Sequence, residues 1–295
     1  MAPYSDPDIV RREYETDELV RIRREIDEKY TVPSIDFVDW AVGCLGRNGA
    51  EQILDVGCGN GLYYKKLLET SPDLKYFGLD ISPGMLKKHP LNGSSLVLAD
   101  ARHLPYPDNS FNVVMANHML YHVSDIDHTL TEFRRVLKPD GVLMTATNSL
   151  HNMPEFQVLL RRSIVLLTRQ GAAQVYPPAA ASDDFALENG SRQLSRHFFG
   201  VVRYDLPGSL VFNEVDPVME YLESLRFVSE PQLPKDVVWD DVMMIMRQQI
   251  THLINHLDEL VIKKLTGVLL ASDRGGFIRE YVDYKTRATV EANAD

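Results

Sequence analysis

Residues 53–61 read ILDVGCGNG: a short apolar run, a single carboxylate, then three glycines alternating with other residues. An apolar run, a glycine-rich turn and a helix make the first half of a βαβ unit, and the glycines let the backbone come close to a ligand. Such a loop and the helix N-terminus behind it ordinarily receive a pyrophosphate. Asp55 stands two residues before Gly57, where its charge would repel phosphate. The carboxylate suits a ligand that carries positive charge.

The same rhythm continues on either side. QILDV (52–56), KYFGLD (75–80), SLVLAD (95–100), FNVVMAN (111–117) and GVLMTATN (141–148) read as strands. LYYKKLLET (62–70), SPGMLKK (82–88) and DIDHTLTEFRRVLK (125–138) read as the helices between them, with Ser82 as an N-cap and Pro83 in the first turn. This alternation predicts a parallel sheet with helices on both faces and ligands at the strand C-termini. Ahead of it, residues 8–30 place Leu19, Ile22, Ile26 and Tyr30 at helical spacing, and 35–45 form a second short helix ended by Gly46 and the NG at 48–49. Behind it, 154–170 reads as a helix, 171–184 as a loop, 196–206 as a strand and 216–225 as a helix. Residues 240–264 read as a long helix closing at Lys263, Lys264 and Gly267, and 267–281 as strand material turning through Gly275–Gly276. Three parts are expected: an N-terminal helical lid (1–45), a ligand-binding core (46–150), and a C-terminal part (151–295). That last part adds strands near 198–206 and 268–281 and helical insertions at 150–195 and 213–265.

With 31 Lys and Arg against 42 Asp and Glu, the 295-residue chain carries a formal charge of −11. That argues against a nucleic-acid partner, which would need a basic surface. Cys44 and Cys58 form no CxxC pair, so two reduced thiols in a cytoplasmic protein are expected, and no metal site. The first residues, MAPYSDPDIVRREYETDE, contain no apolar signal core, and no apolar run approaches the ~20 residues of a membrane span.

Two further carboxylates sharpen the ligand. Asp80 ends the second strand, where a carboxylate accepts both hydroxyls of a ribose; Asp100, followed by Ala101, ends the third, where it can accept from an adenine amine. With Asp55 they describe an adenosine joined to a cationic, amino-acid-like group: S-adenosylmethionine.

ILDVGCGNG, GLDISPGML, ADARHLPYPDNSFNVVMANHMLYHVSD and EFRRVLKPDGVL, in this order, resemble the successive motifs of the class I S-adenosylmethionine-dependent methyltransferases. Within that class they are most similar to the branch of quinone-biosynthesis C-methyltransferases and small-molecule methyltransferases. The resemblance spans about residues 50–150. It implies a Rossmann-like α/β fold, a seven-stranded, mostly parallel sheet with helices on both faces and a helical lid. It implies S-adenosyl-L-methionine as cofactor and S-adenosyl-L-homocysteine as product. Gly57, Gly59 and Gly61 would let the backbone approach the methionine part and Asp55 would orient its ammonium. Asp80 would hold the ribose, Ile81 and Met85 would flank the adenine, and Asp100, Ala101 and Arg102 would lie at its edge. Asn117 and Met119 would stand near the amino-acid part, and Cys58 would pack within the loop.

Methyl transfer needs an aligned nucleophile, and a base only where the acceptor must lose a proton. NHMLYHVSD supplies His118 and His122. In phosphoethanolamine methyltransferases a histidine at a comparable place works with a tyrosine from an N-terminal helix, and the resemblance makes Tyr14 and Tyr30 the candidate partners. Phe156, Leu159, Leu160, Tyr176, Phe185, Trp239, Met243, Met244 and Met246 are expected partly as core and partly as a lid over a small, partly apolar acceptor. A monomer or homodimer is expected. The competing readings are a methyltransferase acting on RNA or protein, a non-catalytic S-adenosylmethionine-binding subunit, and, most weakly, a nicotinamide-dependent oxidoreductase.

Overall fold

A computed structural model describes residues 5–46, 51–91 and 93–274. The expected turn at 48–49 and the expected hairpin through Gly275–Gly276 lie outside them. The strands are β1 (Thr31–Val32), β2 (Gln52–Val56), β3 (Lys75–Asp80), β4 (Leu96–Leu98), β5 (Phe111–Met115), β6 (Leu137–Asn148), β7 (Gly200–Phe212) and β8 (Leu260–Ser272). The helices begin with α1 (Pro7–Glu13), α2 (Glu18–Tyr30), α3 (Phe37–Gly43), α4 (Leu62–Thr70), α5 (Pro83–Leu86) and α6 (Ile126–Val136). They continue with α7 (Pro154–Leu167), α8 (Leu187–Leu194), α9 (Val215–Glu223), α10 (Arg226–Ser229) and α11 (Trp239–Leu257).

The strands form one sheet in the order β1-β7-β8-β6-β5-β2-β3-β4. Strands β2 to β6 pair parallel to one another, whereas β8 runs antiparallel to both β6 and β7. The expected seven strands are all present. The eighth, β1, is two residues long and pairs with Leu210 and Ser209 of β7 where the chain leaves α2. Helices cover both faces. Leu130, Phe133 and Val136 of α6 pack with Leu54, Val114 and Leu143 on one side, and Leu67 of α4 packs with Ile53, Met115 and Met144 on the other.

Strand β6 pairs with β8 only up to Asn148 opposite Thr266, yet β7 and β8 remain paired out to Phe212 opposite Leu260. Asn148 ends a parallel strand at its C-terminus, so this hairpin arm projects past the ligand edge of the sheet. Leu210, Phe212, Leu260 and Ile262 on the arm anchor a second core with α2, α7, α9 and α11. The expected long helix therefore stops early. Asp258, at φ 65°, turns the chain out of α11, and the burial alternation of Leu260, Val261, Ile262 and Lys263 has the period of a strand. Lys263 and Lys264 lie in β8 rather than in a helix, and Gly267 is a central strand residue whose added Cβ would meet the Tyr204 carbonyl oxygen.

The expected 8–30 helix is broken into α1 and α2 at Tyr14–Asp17. That break is held from outside. Ser82 Oγ donates to the Tyr14 carbonyl at 2.6 Å, and Asn60 Nδ2 donates to Asp17 at 3.2 Å. At Gly84 an added Cβ would lie 1.9 Å from the Glu15 carbonyl oxygen, so only glycine lets α5 and the break meet. Gly84→Ala should therefore lift α1 from the sheet edge. Hydrogen exchange of α1 amides is expected to accelerate strongly while protection of β2, β5 and β6 stays as in the wild type.

Candidate cofactor and acceptor site

The glycine loop is built by two local constraints. Its backbone is tied to the end of β3, with Gly57 and Cys58 N–H groups both donating to the Leu79 carbonyl at 2.7 and 3.1 Å. Its glycines take φ of 71°, 54° and 79°, which other residues rarely adopt. Space demands the same residue: a Cβ at Gly57 would lie 2.9 Å from Met119, and one at Gly61 would lie 2.7 Å from Pro90 and 2.8 Å from His89.

Asp80 locks this loop to the next turn. Its Oδ2 accepts the Gly59 N–H and its Oδ1 the Ser82 N–H, both at 2.8 Å. The Ile81 backbone adds a third hydrogen bond to the same carboxylate, which leaves it one of about four lone-pair directions for a ligand. Burial raises its pKa above the ordinary carboxylate value, against the lowering effect of those N–H donors. Asp55 lies deeper. It is 1% exposed and accepts the Tyr76 hydroxyl at 2.8 Å. Burial is the main cause that pushes it up to about 7; the Tyr76 hydrogen bond opposes the shift and the charge of Asp80 adds to it.

A cavity opens above these residues. Gly57, Gly59, Asp80, Ile81, Met85, Asp100, Ala101, Arg102, His118, Met119 and His122 line it, and Pro7, Val10 and Tyr14 of the N-terminal segment close it. Asp100 is held by Arg102 through a bidentate pair, at 3.0 Å from Nε and 2.6 Å from Nη2, which keeps its carboxyl below the usual range. Asp55, Cys58, Gly61 and Asn117, also expected at the site, do not line this cavity. The Cys58 thiol is buried and pushed far up by desolvation, so it stays a neutral packing group. Asn117 is 8% exposed, and neither amide atom finds a partner among the described residues.

The structure joins Tyr14 to His122. The Tyr14 hydroxyl stands 2.9 Å from His122 Nε2, and the rings meet edge to face at 5.3 Å. Burial holds the Tyr14 phenol well above its ordinary pKa, so it remains protonated; in the tautomer that carries its proton on Nδ1, His122 accepts the phenol's hydrogen bond at Nε2. Tyr30 stands elsewhere: its ring lies 4.8 Å from Phe212 in the second core, away from His122. His118 takes φ 54° and donates its N–H to the Ala146 carbonyl at 2.8 Å. Its ring is pushed down to about 4 by burial first and by Lys264 second, so it is a neutral imidazole near pH 7.

A second, larger cavity shares His118 with the first and reaches Arg23, Tyr63, Asn148, Tyr221 and Lys264. The residues expected to wall an apolar acceptor do not line it. Phe156, Leu159, Leu160 and Met246 are buried in the second core with Met243 packed against it, Phe185 is buried in the first, Trp239 is buried with its Nε1 donating to Glu223, and Tyr176 and Met244 face solvent. Apolar content marked these side chains; the arm of β7 and β8 that receives Phe156, Leu159, Leu160 and Met246 comes from strand pairing distant in sequence. Arg23, Tyr63 and Lys264 went unmarked for the same reason, since α2, α4 and β8 meet only in the fold.

The sheet order, with helices on both faces and a cavity at the strand C-termini, is the Rossmann-like α/β fold seen in class I methyltransferases. Residues 54–145 match the family described as methyltransferase domain. The ubiquinone/menaquinone biosynthesis C-methyltransferase of Desulfotalea psychrophila is 34% identical over 142 residues, covering 45% of this chain and 58% of that protein. The demethylmenaquinone methyltransferase of Symbiobacterium thermophilum is 40% identical over 100 residues, covering 31% of this chain and 40% of that protein. The chain thus spans about half the length of these relatives. Among solved structures, the YcgJ protein of Bacillus subtilis superposes with TM-score 0.51 at 17% identity, over 81% of this chain and 98% of that one. A Haemonchus contortus phosphoethanolamine N-methyltransferase 2 superposes with TM-score 0.52 at 16% identity, over 92% and 61%. Both likenesses are of fold.

The residues present fit a cationic nucleoside. Two buried carboxylates under a glycine loop would repel a pyrophosphate, and each would be relieved by a nearby positive charge. The remaining lone pair of Asp80 suits a ribose hydroxyl, and Asn117 supplies unpaired polar atoms at the edge of the sheet.

A pH dependence follows from Asp55. Burial favours its uncharged form in the folded state, so its contribution to stability is full below the unfolded value of 3.8 and is lost as pH rises through about 7. A bound cation favours the charged form, so binding should release a proton, and affinity should rise with pH through about 7. Calorimetry of S-adenosylmethionine binding at pH 7 in buffers of different ionisation enthalpy is expected to show fractional proton release. In Asp55→Asn that release should vanish, and the Tm of the ligand-free protein at pH 8 should rise.

Proposed function

We propose that the chain is an S-adenosylmethionine-dependent methyltransferase that acts on an O, N or C nucleophile of a small molecule, with Tyr14 and His122 handling the acceptor's proton. The observation that carries this reading is the 2.9 Å Tyr14–His122 pair on the wall of the same cavity that Asp80 and the glycine loop line. In this reading Asp80 holds the ribose, Ile81 and Met85 flank the adenine, and Asp100, Ala101 and Arg102 define its edge. Asp55, Met119 and Asn117 set the amino-acid end.

When bound, the cofactor supplies an electrophilic methyl on a sulfonium, whose positive charge disappears as the new bond forms. The chain's own contribution is alignment, exclusion of water and proton transfer. Pro7, Val10 and Tyr14 roof the cavity, so closure of α1 excludes solvent. A protic acceptor would pass its proton to Tyr14 Oη as the Tyr14 proton moves to His122 Nε2. The phenol is neutral before and after, and the imidazole leaves as imidazolium. A neutral, buried phenol is a poor base alone; the adjoining Nε2 lone pair makes the transfer feasible.

Labelled S-adenosylmethionine against a panel of phenols, carboxylic acids and amines tests the activity. With a turned-over acceptor, Tyr14→Phe and His122→Ala should each lower turnover by roughly 10²-fold at saturating cofactor. Affinity for S-adenosylhomocysteine should change little in Tyr14→Phe, which keeps the ring. Unchanged turnover in both variants would remove the proton-handling role and leave alignment alone.

A further inference from the structure

The second cavity differs in chemistry from the first. It lies under the α2 and β7–β8 arm, opens beside His118 at the ligand edge, and sets charged and polar side chains in a wall that is largely apolar. Tyr63 is 8% exposed and lines it; its hydroxyl oxygen is itself sealed from solvent and has no partner among the described residues. A buried phenol O–H left without an acceptor costs free energy unless something fills its place.

The charged groups on this wall sort by partner. Lys264 Nζ donates to Asp27 and, at 3.1 Å, to Thr31 Oγ1. Arg24 pairs with Glu28 at 3.3 Å. Asp36 caps α3 by accepting the Asp39 N–H at 2.9 Å, so the helix end answers its charge. Arg23 is left over. It donates from Nη1 to the Ser224 carbonyl at 3.2 Å, and its nearest carboxylate, Glu13, lies 3.9 Å away. Glu13 is itself 7% exposed, and burial drives it towards the uncharged form ahead of the opposing pull of Arg23. Arg23 is thus held by one backbone carbonyl and one long ion pair, its side chain 21% exposed, on the same wall as the unpartnered Tyr63.

We propose that this second cavity is the acceptor pocket and that it selects acceptors bearing an anionic oxygen group, a carboxylate or a phosphate monoester, with Arg23 and Tyr63 as the recognising donors. The proposal rests on the methyltransferase reading above for the adjoining cavity. The anionic group neutralises Arg23 and gives the Tyr63 hydroxyl its missing acceptor. His118, a neutral ring common to both cavities, borders the passage through which the acceptor's nucleophile faces the cofactor side. Arg23 and Tyr63 fix which molecules enter; they are specificity-determining residues and not members of the Tyr14–His122 pair.

The test is ligand-observed NMR on the protein saturated with S-adenosylhomocysteine, using matched sets of small aryl and alkyl carboxylates, phosphate monoesters, and the neutral amides and alcohols of the same skeletons. Binding is expected to concentrate in one of the anionic sets, which distinguishes carboxylate from phosphate. For the best binder, Arg23→Gln should weaken affinity at least about tenfold, Arg23→Lys should retain part of it, and Tyr63→Phe should weaken it several-fold. All three variants should bind S-adenosylhomocysteine with wild-type affinity, which shows the fold and cofactor cavity intact. Binding spread evenly over anionic and neutral sets, absence of any anionic binder, or anionic binding indifferent to Arg23→Gln would each overturn the proposal. Failure of S-adenosylhomocysteine itself to bind the wild type would instead sink the underlying methyltransferase reading.

Discussion

Much of the ligand edge depends on one carboxylate. Asp80 accepts the N–H of Gly59 on one oxygen and the N–H of Ser82 on the other, and so ties the glycine loop to the start of α5. Ser82 in turn caps α5 and holds the carbonyl of Tyr14, which sets α1 over the cavity. Tyr14 then reaches His122. A chain of buried and part-buried hydrogen bonds thus runs from the loop to the roof and on to the Tyr14–His122 pair on the cavity wall. Charge-assisted bonds in a low-dielectric setting are the strong ones, and each member here orients the next.

That arrangement places negative charge where nucleotide-binding folds of the same topology receive phosphate. Asp55 and Asp80 are both buried and both pushed towards their uncharged forms by desolvation. The site carries an unfavourable term in the ligand-free protein that a positive ligand removes. The same loop geometry can serve opposite ligand charges, and the carboxylates decide which.

The core was legible in the sequence because its signals are local. Strand, glycine turn and helix follow one another within residues 52–148, and Ser82, Pro83 and Asp125 announce helix starts that the structure reproduces. The helix predicted over 240–264 failed where its physical cause lies far away in sequence. Leu260 falls on the helical stripe that precedes it and on a strand face alike, and pairing of Leu260 and Ile262 with Phe212 and Leu210 decides for the strand. The acceptor side was least legible for the same reason. Arg23, Tyr63 and Lys264 come from α2, α4 and β8, and nothing short-range links them. Between Tyr14 and Tyr30, both within the expected 8–30 helix, periodicity did not choose; the break at Tyr14–Asp17, seated on Gly84, and the contact of Tyr30 with Phe212 did.

The central claim is that acidic groups beneath a glycine loop turn a dinucleotide-type fold into a site for a cationic nucleoside. Side-by-side calorimetric titration of the full chain with S-adenosylmethionine and with a nicotinamide dinucleotide at pH 7.5 measures it directly, at that single condition. The account predicts stoichiometric, saturable binding of S-adenosylmethionine and no detectable heat from the dinucleotide. Dinucleotide binding as tight as, or tighter than, S-adenosylmethionine binding would contradict it.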